Sequence, residues 1–325
     1  MPKAIRVYEY GGPEVMRFED VPLAEPGPGQ IRVKQAAIGV NFIDIYFRTG
    51  AYKSPHLPYT PGKEGAGTVT AVGEGVSQFK PGDRVAYGSV ADGCYAEEPV
   101  IPASAAVPIP HGVDEKTAAA MMLKGLTVEY LLHRTYAVKP GDTILWQAAA
   151  GGVGLIACQW AKHLGATVIG TAGSPEKAEL AKRNGCDHVI LYREEDVAKR
   201  VREITGGKGV PVVYDGVGQA TLMGSLDSLA PLGLLASFGS ASGAITGLDL
   251  GLLAPRGSLY VTRPTLATFS SNRATLEEAA ARLFKVVGDG AVKIAVNATY
   301  PLAEAQQVHR DLAGRETTGS IVMLP

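Results

Sequence analysis

"WQAAAGGVGLIACQWAKHLGATVIGTAGSPEK" (Trp146–Lys177) contains the two turns on which the fold reading rests. It begins at the end of a short apolar run, "ILWQA" (144–148), crosses a glycine cluster and enters a helical pattern. Ile156, Ala157, Trp160 and Leu164 share one face of that helix, and Gly165 stops it. A second apolar run, "TVIGT" (167–171), follows. Ser174 then stands as N-cap and Pro175 at the first position of another helix, which Gly185 ends. "DHVIL" (187–191), "VPVVYD" (210–215) and "LLASFG" (234–239) continue the series of apolar runs. Strands that alternate with helices predict a doubly wound parallel sheet, an α/β fold of Rossmann type.

The first turn carries a variant of the phosphate fingerprint GxGxxG. Its three places hold Ala149, Gly151 and Gly154, with Gly152 in addition. Alanine at the first place still permits a tight turn. Ala150, Gly151, Gly152 and Val153 bring backbone to where a pyrophosphate would lie, and a helix N-terminus offers free N–H groups there. A glycine turn can serve packing alone. Set between a strand and an amphipathic helix, this one reads as a dinucleotide site.

The second turn sets the choice of dinucleotide. An acid at the end of the second strand would accept from an adenosine ribose hydroxyl and repel a 2′-phosphate. The strand end instead reads Gly170, Thr171, Ala172, Gly173, Ser174. Lys177 in the first helical turn opposes the helix dipole unless an anion is present. Alone it would read as a solvated lysine. With Gly173, Ser174 and the helix N–H groups it suits a phosphate, and Tyr192 just past the third strand closes the same pocket. The expected cofactor is NADPH. Gly216 and Gly218, then Phe238 and Ser240, follow the fourth and fifth strands and are expected at the cofactor too.

Outward from this core, the first ~120 residues read as strands and turns. After about residue 265 a helical pattern, "TLEEAAARLFKVVGDG", and short strands return. A chain of 325 residues, 46% hydrophobic, is long enough for two cores. The net charge of −1, with no basic run, makes nucleic acid and anionic membrane poor partners. No apolar run approaches about 18 residues, so no membrane span is expected. The start, "MPKAIRVYEYGG", lacks the apolar core of a signal peptide, and a cytoplasmic location is expected. Cys94, Cys158 and Cys186 are odd in number and widely spaced, and read as reduced packing residues.

"GVNFIDIYFRTGAY" (39–52), "PGKEGAGTVTAVGEGV" (61–76), "KPGDRVAY" (80–87), "LKGLTVEYLL" (123–132), "AAAGGVGLIACQWAKHLGA" (148–166) and "VVYDGVG" (212–218) occur in one order over essentially the whole chain. They resemble bacterial members of the medium-chain dehydrogenase/reductase superfamily, in its quinone oxidoreductase (ζ-crystallin-like) branch. The resemblance implies a GroES-like, β-rich catalytic domain at 1–124 and 267–325, with an NADPH-binding Rossmann domain at 125–266. It also implies a homodimer joined near "SLYVTRPTL" (258–266). Zinc members of the superfamily carry Cys where this chain has Asn41, and Gly-His-Glu where it has Gly62, Lys63 and Glu64. Their third ligand falls in a stretch that is apolar here, Met121 to Leu123, and the four-cysteine lobe has no counterpart. No metal is therefore expected.

Without a metal to polarise an alkoxide, the substrate should accept hydride unaided, as a quinone does on becoming aromatic. No flavin is required. By the resemblance, Asn41 contacts the nicotinamide side of the cofactor and Thr127 lies beside it. Tyr46 and Tyr52 either wall the quinone pocket or pack at the core or rim. Lys63 is expected to pair with a nearby carboxylate such as Glu64. Two other functions stay open at this stage. One is an NADPH-dependent enone or enoyl-thioester reductase on the same scaffold. The other is a structural or RNA-binding protein like some ζ-crystallin relatives, which the neutral charge disfavours.

Overall fold

The structure, a computed structural model, describes residues 1–90 and 92–325. It divides into two compact units. One comprises Met1–Leu126, Phe269–Gly288 and Ile294–Pro325, and the other Thr127–Thr268 and Asp289–Lys293.

The first unit opens with β1 (Lys3–Val7), β2 (Met16–Asp20) and the long β3 (Gln30–Val40). Helix α1 (Phe42–Thr49) follows, then β4 (Glu64–Val72), β5 (Arg84–Tyr87), β6 (Val100–Pro102) and β7 (Ala106–Pro108). Asn41 caps α1, and Gly50 ends it in the left-handed region at φ 80°. Helix α2 (Glu115–Tyr130) carries the chain into the second unit.

The second unit is built on β8 (Thr143–Trp146), α3 (Gly152–His163), β9 (Thr167–Ala172), α4 (Pro175–Arg183) and β10 (His188–Leu191). It continues with α5 (Val197–Ile204), β11 (Val210–Asp215), α6 (Leu222–Ser228), β12 (Leu229–Ser237) and β13 (Tyr260–Thr262). The strand order is β10-β9-β8-β11-β12-β13, and every pairing is parallel. The order reverses between β8 and β11, and in such sheets ligands bind beyond the carboxyl ends of the strands at that point. Leu145, Ile169, Ile190, Val213 and Leu235 form the core, which explains why these strands read as continuous apolar runs. β12 starts at Leu229, earlier than its apolar run suggests, because a register shift between Val210 and Val212 lets it pair along more of β11.

After α7 (Leu266–Phe269), the elements α8 (Arg273–Gly288), β14 (Val296–Pro301), α9 (Ala305–Ala313) and β15 (Ser320–Leu324) complete the chain. The strands among them join the first unit's sheet, ordered β14-β15-β3-β4-β5-β7, with β6 paired to β3. β15 lies antiparallel to β3, Val322 opposite Gly39. Ile31, Val33, Val69, Val85, Ile101 and Ile321 point into the core of this sheet. No helix among the described residues is long and apolar enough to cross a membrane.

Candidate functional site

In the second unit the site is the carboxyl edge of the sheet. The first turn runs from Trp146 to Gly152, the first residue of α3. The left-handed residue is Ala148, at φ 57°, one place before the fingerprint's first position. Ala149 N–H donates to Thr171 O at 2.9 Å, and Gly151 N–H donates to Ala148 O at 3.0 Å. Ala150 is buried and Gly151 is the N-cap of α3, followed by Gly152 and Val153. A Cβ on Gly154 would lie 2.6 Å from the carbonyl oxygens of Ala148 and Ala149. Only glycine lets α3 start this close to the turn.

A polar spine fixes this edge from below. Ala148 N–H donates to Thr171 Oγ1 at 3.0 Å, and Thr171 Oγ1 donates to Gln147 Oε1 at 2.8 Å. Gln147 Nε2 donates to Ser225 Oγ at 3.0 Å, and Ser225 Oγ donates to Asp215 Oδ2 at 2.8 Å. Asp215 also accepts from Thr221 Oγ1 (2.6 Å) and from the N–H groups of Val217 (2.7 Å) and Gly218 (3.0 Å). The turn holding Gly216 and Gly218 is thus folded around one buried carboxylate. Gly218 sits at φ 97°. Phe238, whose N–H donates to Asp215 O at 2.8 Å, packs its ring 5.5 Å from that of Trp146. Arg263 braces the next turn, donating to Ser237 O (3.0 Å), Gly239 O (2.6 Å) and Ser240 Oγ (3.0 Å).

At the end of β9, Ser174 is the N-cap of α4, and its Oγ accepts from Lys177 N–H at 3.4 Å. A Cβ on Gly173 would meet Tyr192 Oη at 2.6 Å, so the phenol stands over this glycine. Gly173, Ser174 and Tyr192 therefore meet at the head of α4, whose first turn also carries Lys177. Glu176 belongs to that turn too. The Ser174 hydroxyl, then the residue's own backbone N–H, hold its carboxyl below the ordinary range.

The first unit supplies a different constellation. Asn41 is buried at the start of α1, and its N–H donates to Asp44 Oδ2 at 2.9 Å, one half of a capping box. Its Nδ2 donates to Glu64 Oε2 at 2.7 Å. Lys124 Nζ reaches the same oxygen at 3.1 Å, and Leu123 N–H donates to Glu64 Oε1 at 2.8 Å. A Cβ on Gly39 would collide with the Ala119 carbonyl oxygen as well as with Glu64 Oε2, which reserves that place for glycine. Lys63 does pair with a nearby carboxylate, but that carboxylate is Asp92 and not Glu64. Lys63 Nζ lies 3.2 Å from Asp92 Oδ1 and 4.1 Å from the centre of the Phe47 ring. Lys63 lies in the bend just before β4, after Gly62 at φ 96°, while Glu64 is already engaged by Asn41, Leu123 and Lys124. Burial raises the Asp92 carboxyl, and Lys63 offsets part of that.

Zinc does not fit this donor set. The Glu64 carboxylate is already shared by an ammonium, an amide and a backbone N–H, and the Lys63 beside it is itself a cation paired with Asp92. Among the described residues no three His, Cys, Asp or Glu side chains are grouped to hold a metal.

Tyr46 and Tyr52 stand edge to face with ring centres 5.2 Å apart, and Tyr52 N–H donates to Tyr46 O at 3.0 Å. Phe42 and Phe47 flank them at 5.8 Å and 5.7 Å. Tyr52 is 39% exposed, so this aromatic wall has an accessible face. Thr127 is buried on α2. Sequence reasoning missed Gln147, Asp215 and Arg263. For Asp215 a signal existed, an acid between a strand and a Gly-Val-Gly turn. Arg263 had none.

The chain matches the alcohol dehydrogenase GroES-like domain family over residues 27–111 and the zinc-binding dehydrogenase family over residues 152–285. It is 53% identical to a quinone oxidoreductase of Pseudomonas aeruginosa, each chain covered in full. The structure of the Escherichia coli quinone oxidoreductase complexed with NADPH superposes with a TM-score of 0.98 at 49% identity, covering 99% of this chain and all of that one. A 2-haloacrylate reductase of a Burkholderia species is 46% identical, with 100% of this chain and 99% of the relative covered. The chain belongs to the quinone oxidoreductase branch of the medium-chain dehydrogenase/reductase superfamily.

Proposed function

We propose that this protein reduces quinones with NADPH by direct hydride transfer, with neither metal nor flavin. The observation that carries the reading is the replacement of a metal site by the Asn41–Glu64–Lys124 cluster. With no Lewis acid to activate an alcohol, the oxidised substrate must itself be a strong hydride acceptor. Bound NADPH supplies a hydride, and a quinone that takes it together with one proton becomes a hydroquinone, leaving NADP⁺. Ala150, Gly151, Gly152 and Val153 hold the pyrophosphate on the α3 N-terminus. Gly173, Ser174, Lys177 and Tyr192 receive the 2′-phosphate, and Gly216, Gly218, Phe238 and Ser240 line the rest of the cofactor. Asn41 and Thr127 orient the nicotinamide. Tyr46 and Tyr52 wall the substrate and keep water from it.

The experiment is a steady-state comparison of NADPH with NADH across quinones, alkenals, 2-haloacrylates and enoyl thioesters. Quinones with NADPH should give the highest kcat/KM. A preference for an activated alkene would replace this reading with the second one, which the 2-haloacrylate reductase relative supports. We also read the protein as a cytoplasmic homodimer that extends its parallel sheet across the edge strand β13. Tyr260 on that strand is 60% exposed. Sedimentation should report twice the chain mass.

A further inference from the structure

Four buried side chains of the first unit form a chain that the chemistry above does not use. Asp44 Oδ2, besides accepting from Asn41 N–H, lies 3.0 Å from Tyr95 Oη. Tyr95 Oη lies 3.0 Å from His309 Nε2, and His309 Nδ1 lies 3.1 Å from Arg48 Nη1. Arg48 Nε donates to Gly11 O at 3.2 Å. Tyr95 and His309 are fully buried, and Asp44 and Arg48 nearly so.

The direction of every bond follows from one fact. A guanidinium can only donate. His309 Nδ1 must therefore accept, so the ring is neutral and carries its proton on Nε2. Burial, aided by the Arg48 charge, agrees, lowering this histidine to about 3. Nε2–H then donates to Tyr95 Oη, which leaves the tyrosine hydroxyl proton for Asp44. The chain runs one way, from a cation through two neutral groups to a carboxylate. Its two ends, Asp44 and Arg48, are four residues apart on α1. Its middle comes from Tyr95 and from α9.

We propose that Tyr95 and His309 are positioning residues for the reaction: the one-way chain from Arg48 holds the Asp44 carboxylate against the Asn41 N–H and so fixes Asn41 at the head of α1. The proposal rests on the reading of Asn41 as a nicotinamide contact. Asp44 is a sensitive link. Burial raises its carboxyl to about 7, against the opposing pull of the Asn41 N–H, the Tyr95 hydroxyl and the Lys63 charge. Glu64, like burial, favours the protonated form, and Tyr59 and Cys94 also face the carboxylate. Asp44 Oδ1 is buried without a hydrogen-bond partner, so Oδ2 carries the whole connection. Protonation weakens Oδ2 as an acceptor and loosens Asn41.

The test measures kcat and KM against pH for the wild type, Tyr95→Phe, His309→Gln and Asn41→Ala. The wild type should lose kcat on the acid side of about pH 7. Tyr95→Phe removes one bond to the charged form and should move that limb up by about one pH unit, with KM for NADPH little changed. His309→Gln should keep the wild-type limb, because an amide can accept from Arg48 and donate to Tyr95. Asn41→Ala should lower kcat and abolish the limb. If Asn41→Ala leaves kcat intact, the reading of Asn41 fails. If it lowers kcat while Tyr95→Phe keeps the wild-type profile, the positioning proposal fails. A carboxyl ¹³C titration of wild-type Asp44, with the Asn41 amide followed alongside, needs no variant to fold. The two signals should titrate together near neutrality, and an Asn41 amide indifferent to Asp44 would overturn the proposal.

Discussion

Glu176 and Lys177 are neighbours on the first turn of α4, and in the proposed cofactor site their opposite charges would act on a 2′-phosphate in opposite directions. Lys177→Ala removes a cation but keeps the Ser174 cap, because Ser174 accepts from the backbone N–H of residue 177. A charge-assisted bond is worth about 1.5–3 kcal/mol, so NADPH should bind roughly 10- to 150-fold more weakly. NADH should be nearly unaffected in the same titration. Glu176→Gln removes the acid that the Ser174 hydroxyl engages, and should tighten NADPH about two- to fivefold. Equal effects on both dinucleotides would mean that neither residue reads the phosphate. Ser174 and Tyr192 were legible in the sequence because a strand–turn–helix places them by short-range rules. Glu176 was not, since a carboxylate at a helix N-terminus is ordinary and nothing local says that it shares the serine. That Lys63 pairs with a carboxylate was legible too, but which carboxylate was not. Adjacency in sequence suggested Glu64, whereas Lys63, in the bend before β4, reaches Asp92, and Glu64 is taken by Lys124.

Elements were more legible than single contacts. β9, α4 and β11 lie where the apolar runs and their caps put them, because parallel strands buried on both faces cannot disguise their composition. α1 shows the limit. Its eight residues are too few to display a helical period, and only the Asn41 cap and Gly50 stop define it. The turn into α3 tests whether close approach matters as argued. Gly154→Ala places a methyl against two backbone carbonyls that no side-chain rotation can move. The strain should cost about 1–3 kcal/mol of stability. Because it displaces the N-terminus of α3, the affinity for NADPH and NADH should fall together, unlike the selective loss in Lys177→Ala. Calorimetric titration with both cofactors separates the two patterns, and an unchanged affinity would show that the turn tolerates the longer separation.

At the scale of the molecule, Asp44, Tyr95 and His309 gather from distant parts of the chain, and no window of sequence could join them. Their burial leaves an imprint on global stability that can be worked out in sign. Asp44 is raised from 3.8 to about 7, so between these values the folded state holds a proton that the unfolded state has lost. Stability from this group falls as pH rises through that window. His309 is lowered from 6.5 to about 3, so there the unfolded state holds the extra proton. Stability from this group rises with pH. From about pH 4 to 6.5 the two slopes, each about 1.4 kcal/mol per pH unit, oppose and nearly cancel. His309→Gln removes only one of them. Since glutamine reproduces both hydrogen bonds, the variant should match the wild type above pH 7. On acidification it escapes the penalty of keeping a buried imidazole neutral, and at pH 5 it should be more stable by about 2 kcal/mol. Urea unfolding at pH 7.5 and pH 5 measures the difference directly. Parallel stability profiles for the two proteins would mean that His309 does not enter the fold as a neutral ring, and the direction assigned to the whole chain from Arg48 to Asp44 would go with it.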